Sequence, residues 1–235
     1  MDNHWRLAFM FDAPGGDLGA LEAALVRSGQ RIASLAGDAR VRTGVADQSP
    51  ELGSQTSTDY TEQNWRGVDG ALEITLAPSR VAALADIAKA LRPVLDDLAA
   101  PSSIEVMTGP MFPIVPQREG GAFLSLAFKR DPATTLQQFQ DWWLRQHSGV
   151  ATPVLGPGML AYDQVHVDHA VSETVARAFG VPPVYYDAYD NLTFADAAGF
   201  VRCTSDAAGM ARIFADEVGR IDNSSRRNAL MRQVG

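Results

Sequence analysis

An order of segments that occurs twice is the strongest constraint on what this chain can fold into. From Trp5 to Thr108 the hydrophobic pattern reads strand, helix, strand, strand, helix, strand, and from Ala122 onward the same order begins again. The apolar run WRLAFMF, Trp5 to Phe11, is a buried strand. Ala13-Pro14-Gly15-Gly16 breaks it, and Asp17 can cap a helix carrying Leu18, Leu21, Leu25, Ile32 and Leu35, with Gly37 as its stop. Arg40 to Ala46 alternates as a second strand, and Gly70 to Ala77 places Leu72, Ile74 and Leu76 on one face of a third. A helix from Pro78 carries Val81, Leu84, Ala88, Leu91, Leu95 and Leu98 on one stripe, and Pro93 is expected to kink it or split off its last turn. Ser103 to Thr108 is the fourth strand.

Pro110, Pro113 and Pro116 then precede a polar stretch, so 110–121 reads as a Pro-rich linker between units at 1–109 and 122–235. In the second unit Ala122 to Phe128 is a strand, Thr134 to about Val150 a helix, and Met159 to Val167 and Val184 to Phe194 strands. A helical region broken near Ser205 follows, and Arg226 to Val234 is a weakly marked last strand. Each unit also has a polar excursion between its second and third strands, Asp47 to Val68 and Asp168 to Pro183. A long loop of that kind is functional or simply variable surface, and Tyr60 and Trp65 would let the first one fold over a pocket. No residue-level identity links the halves; the repeat rests on element order. The order β-α-β-β-α-β is the ferredoxin-like pattern, so the expected fold class is α+β, two tandem ferredoxin-like units. Each four-stranded sheet has helices on one face only, and packing two sheets together within one chain would bury the other faces and enclose a cavity, as a pseudo-dimeric α/β barrel.

Charge narrows the partners. The 235 residues carry a net charge of −8 with the basic residues scattered, which argues against nucleic acid and anionic membranes. Cys203 is the only cysteine, which excludes an intrachain disulfide and a thiolate metal cluster. The start lacks a basic n-region and its apolar run is too short for a signal peptide, so a cytoplasmic location is the expectation. There is no Gly-x-Gly-x-x-Gly after a strand, no Walker A and no Gly-x-Ser-x-Gly elbow, so nucleotide cofactors and serine-hydrolase chemistry lose support.

The residues that could carry chemistry lie in the second unit. Thr135 and Gln138 fit a capping box, and from that start Leu136, Phe139, Trp143 and His147 fall on one helical stripe. His147 therefore follows the buried face, where a lone histidine is more often a hydrogen-bonded core residue than a catalyst. In MLAYDQVHVD the residues Tyr162, Gln164, His166 and Asp168 share one strand face, and Ala161, Val165 and Val167 the other. The apolar face is expected to meet the helices, leaving Tyr162, Gln164 and His166 to line the inter-sheet cavity. In VYYDAYDNLTF, Tyr185, Asp187, Tyr189 and Asn191 share a face opposite Tyr186, Ala188, Asp190 and Leu192. Two carboxylates amid three tyrosines are unusual for a plain core strand, and an aspartate in apolar surroundings could have a raised pKa or orient a histidine. The aromatics could equally be ordinary strand formers. His166 and His169 beside Asp168 would face opposite ways on a strand, so no metal site is expected.

FLSLAFKRDPATTLQQFQDWWLRQHSGVA resembles the opening of EthD-type domains, through Phe128-Lys129-Arg130, Phe139, Trp143 and His147. Tyr186-Asp187-Ala188 through Phe194-Ala195-Asp196 is similar to the second landmark of that family, and Gly158 to Val167 to its intervening strand. The resemblance covers about Phe123 to Gly235 and implies a dimeric α/β barrel, whose members include cofactor-free cyclases, dehydratases, decarboxylases and oxygenases, with some haem proteins. The expectation is a cofactor-independent lyase-type enzyme of aromatic compound metabolism, acting on an aromatic, phenolic or polyketide-like molecule. His147 or His166 would be its acid or base, with Asp187 orienting, Tyr162 polarising an oxygen, and Phe128, Trp143, Gln164, Tyr189 and Asn191 binding the substrate. An oxygenase, with or without haem, and a non-enzymatic binding protein remain as alternatives. Pairing of the outer helices leaves a homodimer open.

Overall fold

The computed structural model describes residues 3–53, 67–99, 101–116 and 118–234. Tyr60 and Trp65 lie outside them, and with them the reading that the first excursion covers a pocket. Eight antiparallel strands form one closed barrel: β1 Trp5–Phe11, β2 Arg40–Ala46, β3 Gly70–Leu76, β4 Glu105–Val115, β5 Ala122–Arg130, β6 Met159–His166, β7 Ala188–Phe194 and β8 Ile221–Gln233. Their order round the barrel is β1-β3-β2-β8-β5-β7-β6-β4. Within each half the fourth strand lies beside the first, then the third, then the second. The long fourth strands close the ring, β4 running from β1 onto β6 and β8 from β5 onto β2.

Closure accounts for the fate of the expected linker. The strand β4 continues through Pro110 and Pro113 to Val115, so much of 110–121 is strand and only the residues after Val115 connect the halves. Proline is tolerated where β4 leaves β1 and meets β6 with a register shift at Pro113/Val115, because ladder bonds are interrupted there. At the same corner Gly109 passes so close to β6 that a Cβ would lie 2.0 Å from the His166 carbonyl oxygen. Only glycine fits.

The helices lie outside the barrel. Asp17 accepts from the Ala20 amide at 2.9 Å to start the helix Leu18–Ala36, and Gly37 ends it at φ 70°. The helix Leu84–Asp96 keeps Pro93 inside it instead of ending there. With Leu18–Ala36 it covers the first half through Leu21, Leu25, Ile32, Leu84, Leu91 and Leu95. On the second half the helix Leu136–Trp142 begins with the Thr135/Gln138 capping box and passes through a π-helical turn, Trp143–His147, into Ser148–Leu155. Ala197–Thr204 and Ala207–Glu217 complete that layer.

The second excursion is not a loop. Asp168 caps a helix, His169–Phe179, by accepting from the Val171 amide at 3.0 Å, and Gly180 stops it at φ 86°. The expected strand from Val184 accordingly starts only at Ala188. This helix packs on the other half: Val175, Ala176 and Phe179 join the first-half core, Phe179 lies 5.2 Å from Phe9, and Arg92 donates to the Phe179 carbonyl at 2.7 Å. Conversely, Leu52, in the helical turn Pro50–Gly53 of the first half, packs on the second-half core.

The barrel interior is packed. Met10, Ala71, Met107, Phe123, Val165 and Met231 fill part of it. The rest is a buried polar network in which Glu73 takes Arg42 at 2.6 Å, Arg6 at 3.3 Å, Asn191 at 2.5 Å and the Tyr189 hydroxyl. Arg6 also donates to Asp163 at 3.0 Å, and Arg42 to Thr193 at 3.0 Å. Arg6, Arg42 and Glu73 come from the first half and Asp163, Tyr189, Asn191 and Thr193 from the second, so the network clasps the halves together.

Candidate active site between sheet and helices

The enclosed cavity expected inside the barrel lies instead outside it, between the second-half sheet and its helices. The faces of β6 are the reverse of those expected. Val165 points into the barrel with Asp163, while Tyr162, Gln164 and His166 face the helices. Asp163 decides this orientation, because it sits in the interior against Arg6. The helix layer compensates by offering aromatic and amide partners for the polar face.

The π-helical turn shapes that layer. The Trp143 carbonyl accepts the Ser148 amide five residues on and also the Gln164 Nε2 at 3.0 Å. The wider turn buries Trp142 and Trp143 together and brings His147 under the sheet. Trp143 is stacked between Phe139 at 5.7 Å and His166 at 5.2 Å, with the Phe128 ring edge-on at 5.5 Å. Phe139, Trp143 and His166 thus form an aromatic stack, with Phe128 against its edge. His166 also lies against Phe112, its Nε2 has no hydrogen-bond partner, and burial pushes its pKa down to about 4.

That shift fixes a pH response. A histidine with a folded pKa of about 4 is neutral in the native state and takes a proton in the unfolded chain below its ordinary 6.5. Stability is therefore lost as pH falls from 6.5 toward 4, by about 2–3 kcal/mol from this group. His166→Phe should flatten that part of the pH profile of urea unfolding; an unchanged slope would contradict the neutral, buried assignment.

Beside the stack, a small cavity of about 40 Å³ is lined by apolar side chains of β5, β7 and the helices, among them Leu124, Leu126, Leu192, Phe194 and Met210. Its main polar groups are His147, Tyr162, Asp190, Glu217 and Arg226. His147 Nδ1 lies 2.9 Å from Asp216 Oδ2, and its Nε2 is 4.0 Å from Glu217 Oε1. With Nδ1–H donated to Asp216, Nε2 keeps a lone pair. Glu217 is ion-paired with Arg226, whose guanidinium lies 5.8 Å over the Phe128 ring. Tyr162 accepts from Gln164 Nε2 at 2.8 Å, and burial, then Asp190, push its hydroxyl well above the usual phenol range, so it is a neutral donor.

The structure therefore brings His147 and Tyr162 to one cavity and places the other candidates elsewhere. Asp187 does orient a histidine, but it is His169, at 3.2 Å, and it also takes Arg130 at 2.5 Å. Tyr189 and Asn191 belong to the interior clasp. Gln164 stands behind the site, holding Tyr162 and Trp143. Asp190, Asp216, Glu217 and Arg226 were not singled out from sequence. Asp190 shared a face with Leu192 in the alternation, while the other three become neighbours of His147 only on folding. Among the described residues no group of three or more His, Cys, Asp or Glu side chains could hold a metal ion, and no helix is long and apolar enough to cross a membrane.

Residues 131–224, in the second half, match the EthD domain family. No curated protein matches the sequence. Several solved structures share the fold over nearly the whole chain. An anthrone oxidase-like protein is 12% identical, with a TM-score of 0.55, covering 100% of this chain and 92% of its own. A chlorite dismutase variant from Candidatus Nitrospira defluvii is 9% identical, with a TM-score of 0.55, covering 100% of this chain and 93% of its own. The shared architecture is the dimeric α/β barrel, here closed by one chain. A haem on this face would need an open histidine nitrogen, His147 Nε2 or His166 Nε2, and the His166 ring is covered by Trp143 at 5.2 Å. Glu217 Oε1 stands 4.0 Å from His147 Nε2, and the cavity of about 40 Å³ is far smaller than a porphyrin, so the residues present do not fit one.

Proposed function

We propose that this chain is a cofactor-independent enzyme that takes an aromatic, phenolic or polyketide-like small molecule into the sheet–helix cavity and moves a proton with His147 as base. In this reading the two halves are tandem ferredoxin-like units, and the second one carries the chemistry. One observation carries the proposal: a histidine anchored through Nδ1 by Asp216 at 2.9 Å opens its other nitrogen onto an apolar cavity that also holds the Tyr162 hydroxyl. An apolar lining with a few convergent polar groups suits a flat hydrophobic ligand, and the helices must part from the sheet to admit one, since the closed cavity holds only about 40 Å³. A base and a neutral phenolic donor suffice for enolisation, and from an enol or enolate for elimination, cyclisation or decarboxylation, which makes lyase the preferred class.

Anthrone, a tricyclic aromatic ketone in tautomeric balance with a phenol, is a suitable probe, and one structural neighbour is described as anthrone oxidase-like. The protein is expected to accelerate exchange of the anthrone methylene hydrogens with D2O, followed by NMR. Oxygen uptake with anthrone would replace this reading by an oxygenase, and tight binding without exchange would replace it by a carrier.

A further inference from the structure

The polar groups of the cavity do not balance if every carboxyl group is ionised. Asp190 leaves β7 toward the helices, is buried, and its Oδ1 has no hydrogen-bond partner. Its register partner on β6 is Gln164, on the same face. Gln164 also has an acceptor without a donor, Oε1, because its Nε2 is committed to the Trp143 carbonyl and the Tyr162 hydroxyl. Two neighbouring acceptors thus lack one donor between them.

The charges around Asp190 point the same way. From the helix Ala207–Glu217 comes the Glu217 carboxylate, and from β8 comes Arg226, which is ion-paired with Glu217. From the π-helical turn comes His147, held by Asp216, and from β6 comes neutral Tyr162. Through the sheet lies Asp163, paired with Arg6. An ionised Asp190 would be desolvated among leucines and would add a second negative charge beside Glu217. A proton removes the charge and supplies the missing donor.

We propose that Asp190 is a proton-bearing carboxylic acid in the resting protein, and that its O–H is the hydrogen-bond donor and general acid toward the carbonyl or phenolic oxygen of the cavity's ligand. Burial, then the charge of Glu217, push this carboxyl well above the usual carboxylate range. The role toward ligand rests on the reading that the cavity takes an aromatic carbonyl compound or phenol. In the step itself a substrate C–H bond breaks and its proton goes to His147 Nε2. The freed electron pair forms the C=C bond of the enol, and the carbonyl oxygen takes the proton of Asp190. His147 becomes an imidazolium beside Asp216, Asp190 becomes a carboxylate, and the cavity's net charge is unchanged. The reverse transfers, or onward reaction of the enol, return both protons. The arrangement selects ligands with an acceptor oxygen facing β7 and disfavours ligands presenting a carboxylate there.

Infrared difference spectra of wild type and Asp190→Asn test this directly. At neutral pH the wild type should show the C=O band of a protonated carboxyl group, shifted in D2O and absent from the variant. Bound anthrone should move the band to lower frequency, since the ligand oxygen becomes its acceptor. Asp190→Leu should weaken anthrone binding roughly 10-fold, while Asp190→Asn, which keeps a donor, should bind well but exchange roughly 100-fold more slowly. A missing band, or one that survives in Asp190→Asn, overturns the resting proton. A band unmoved by bound anthrone overturns the donor role. Failure of anthrone to bind either protein, judged by tryptophan fluorescence, sinks the aromatic-ligand reading and the ligand role with it, while the band alone still decides the proton.

Discussion

Replacing His147 with alanine should slow hydrogen exchange of bound anthrone by about 10²–10⁴-fold, the usual range for loss of a positioned base. The loss should fall on turnover more than on binding, because the cavity walls that would hold the rings, from Leu124 to Phe194, stay in place. Glu217 Oε1, 4.0 Å from His147 Nε2, can act as a weaker substitute, so the loss is expected nearer the 10²-fold end of that range. Asp216→Asn should retain the imidazole but loosen its orientation, giving a smaller loss with a shifted pH profile. His147→Gln keeps most of the side-chain volume and controls for packing. Near-wild-type exchange in His147→Ala, with thermal unfolding intact, would move the base elsewhere in the cavity.

Glu73→Gln is the change with the largest expected effect on stability. Burial pushes the Glu73 carboxyl up, but Arg42 and Arg6, with hydrogen bonds from Tyr189 and Arg42, more than offset it, and the group stays below the usual carboxylate range. Removing its charge leaves two guanidinium groups in the barrel interior with only Asp163 as counter-charge. Breaking a buried network in this way costs about 3–5 kcal/mol. Urea unfolding should show a lower midpoint with an unchanged slope. The same depressed carboxyl contributes stability that is present above its unfolded value and lost as pH falls through its folded one, so Glu73→Gln should also weaken the acid dependence. A cost below about 1 kcal/mol would mean that the interior is hydrated instead of dry.

Local chemistry was readable where it acts within a few residues. The Asp17 cap, the Gly37 stop and the Thr135/Gln138 box all appear in the structure as their spacing predicts. The helix His169–Phe179 was readable in the same terms, with Asp168 before it, Gly180 after it and Val171, Val175 and Phe179 between; reading the stretch by its polarity hid the stripe. The faces of β6 were not readable. Alternation separates Tyr162 and His166 from Val165, but only the buried Arg6, more than 150 positions away, decides which face turns inward. For the same reason sequence reached His147 and Tyr162 but not their partners, since Asp216, Glu217 and Arg226 arrive from the far end of the chain.

The closure of the barrel also governs when this chain can fold. Gly44 pairs with Gln233, so this hydrogen-bonded seam joins segments 189 positions apart in the sequence (233 − 44). During synthesis the early sheet must keep one edge of β2 unpaired until β8 has been made. Bringing such distant segments together is slow, because the entropy of closing the long loop is spent before any contact rewards it. The exposed edge meanwhile offers a template for pairing with other chains. Loss of β8 would leave that seam open, and pairing of the bare edge with other chains is the expected consequence.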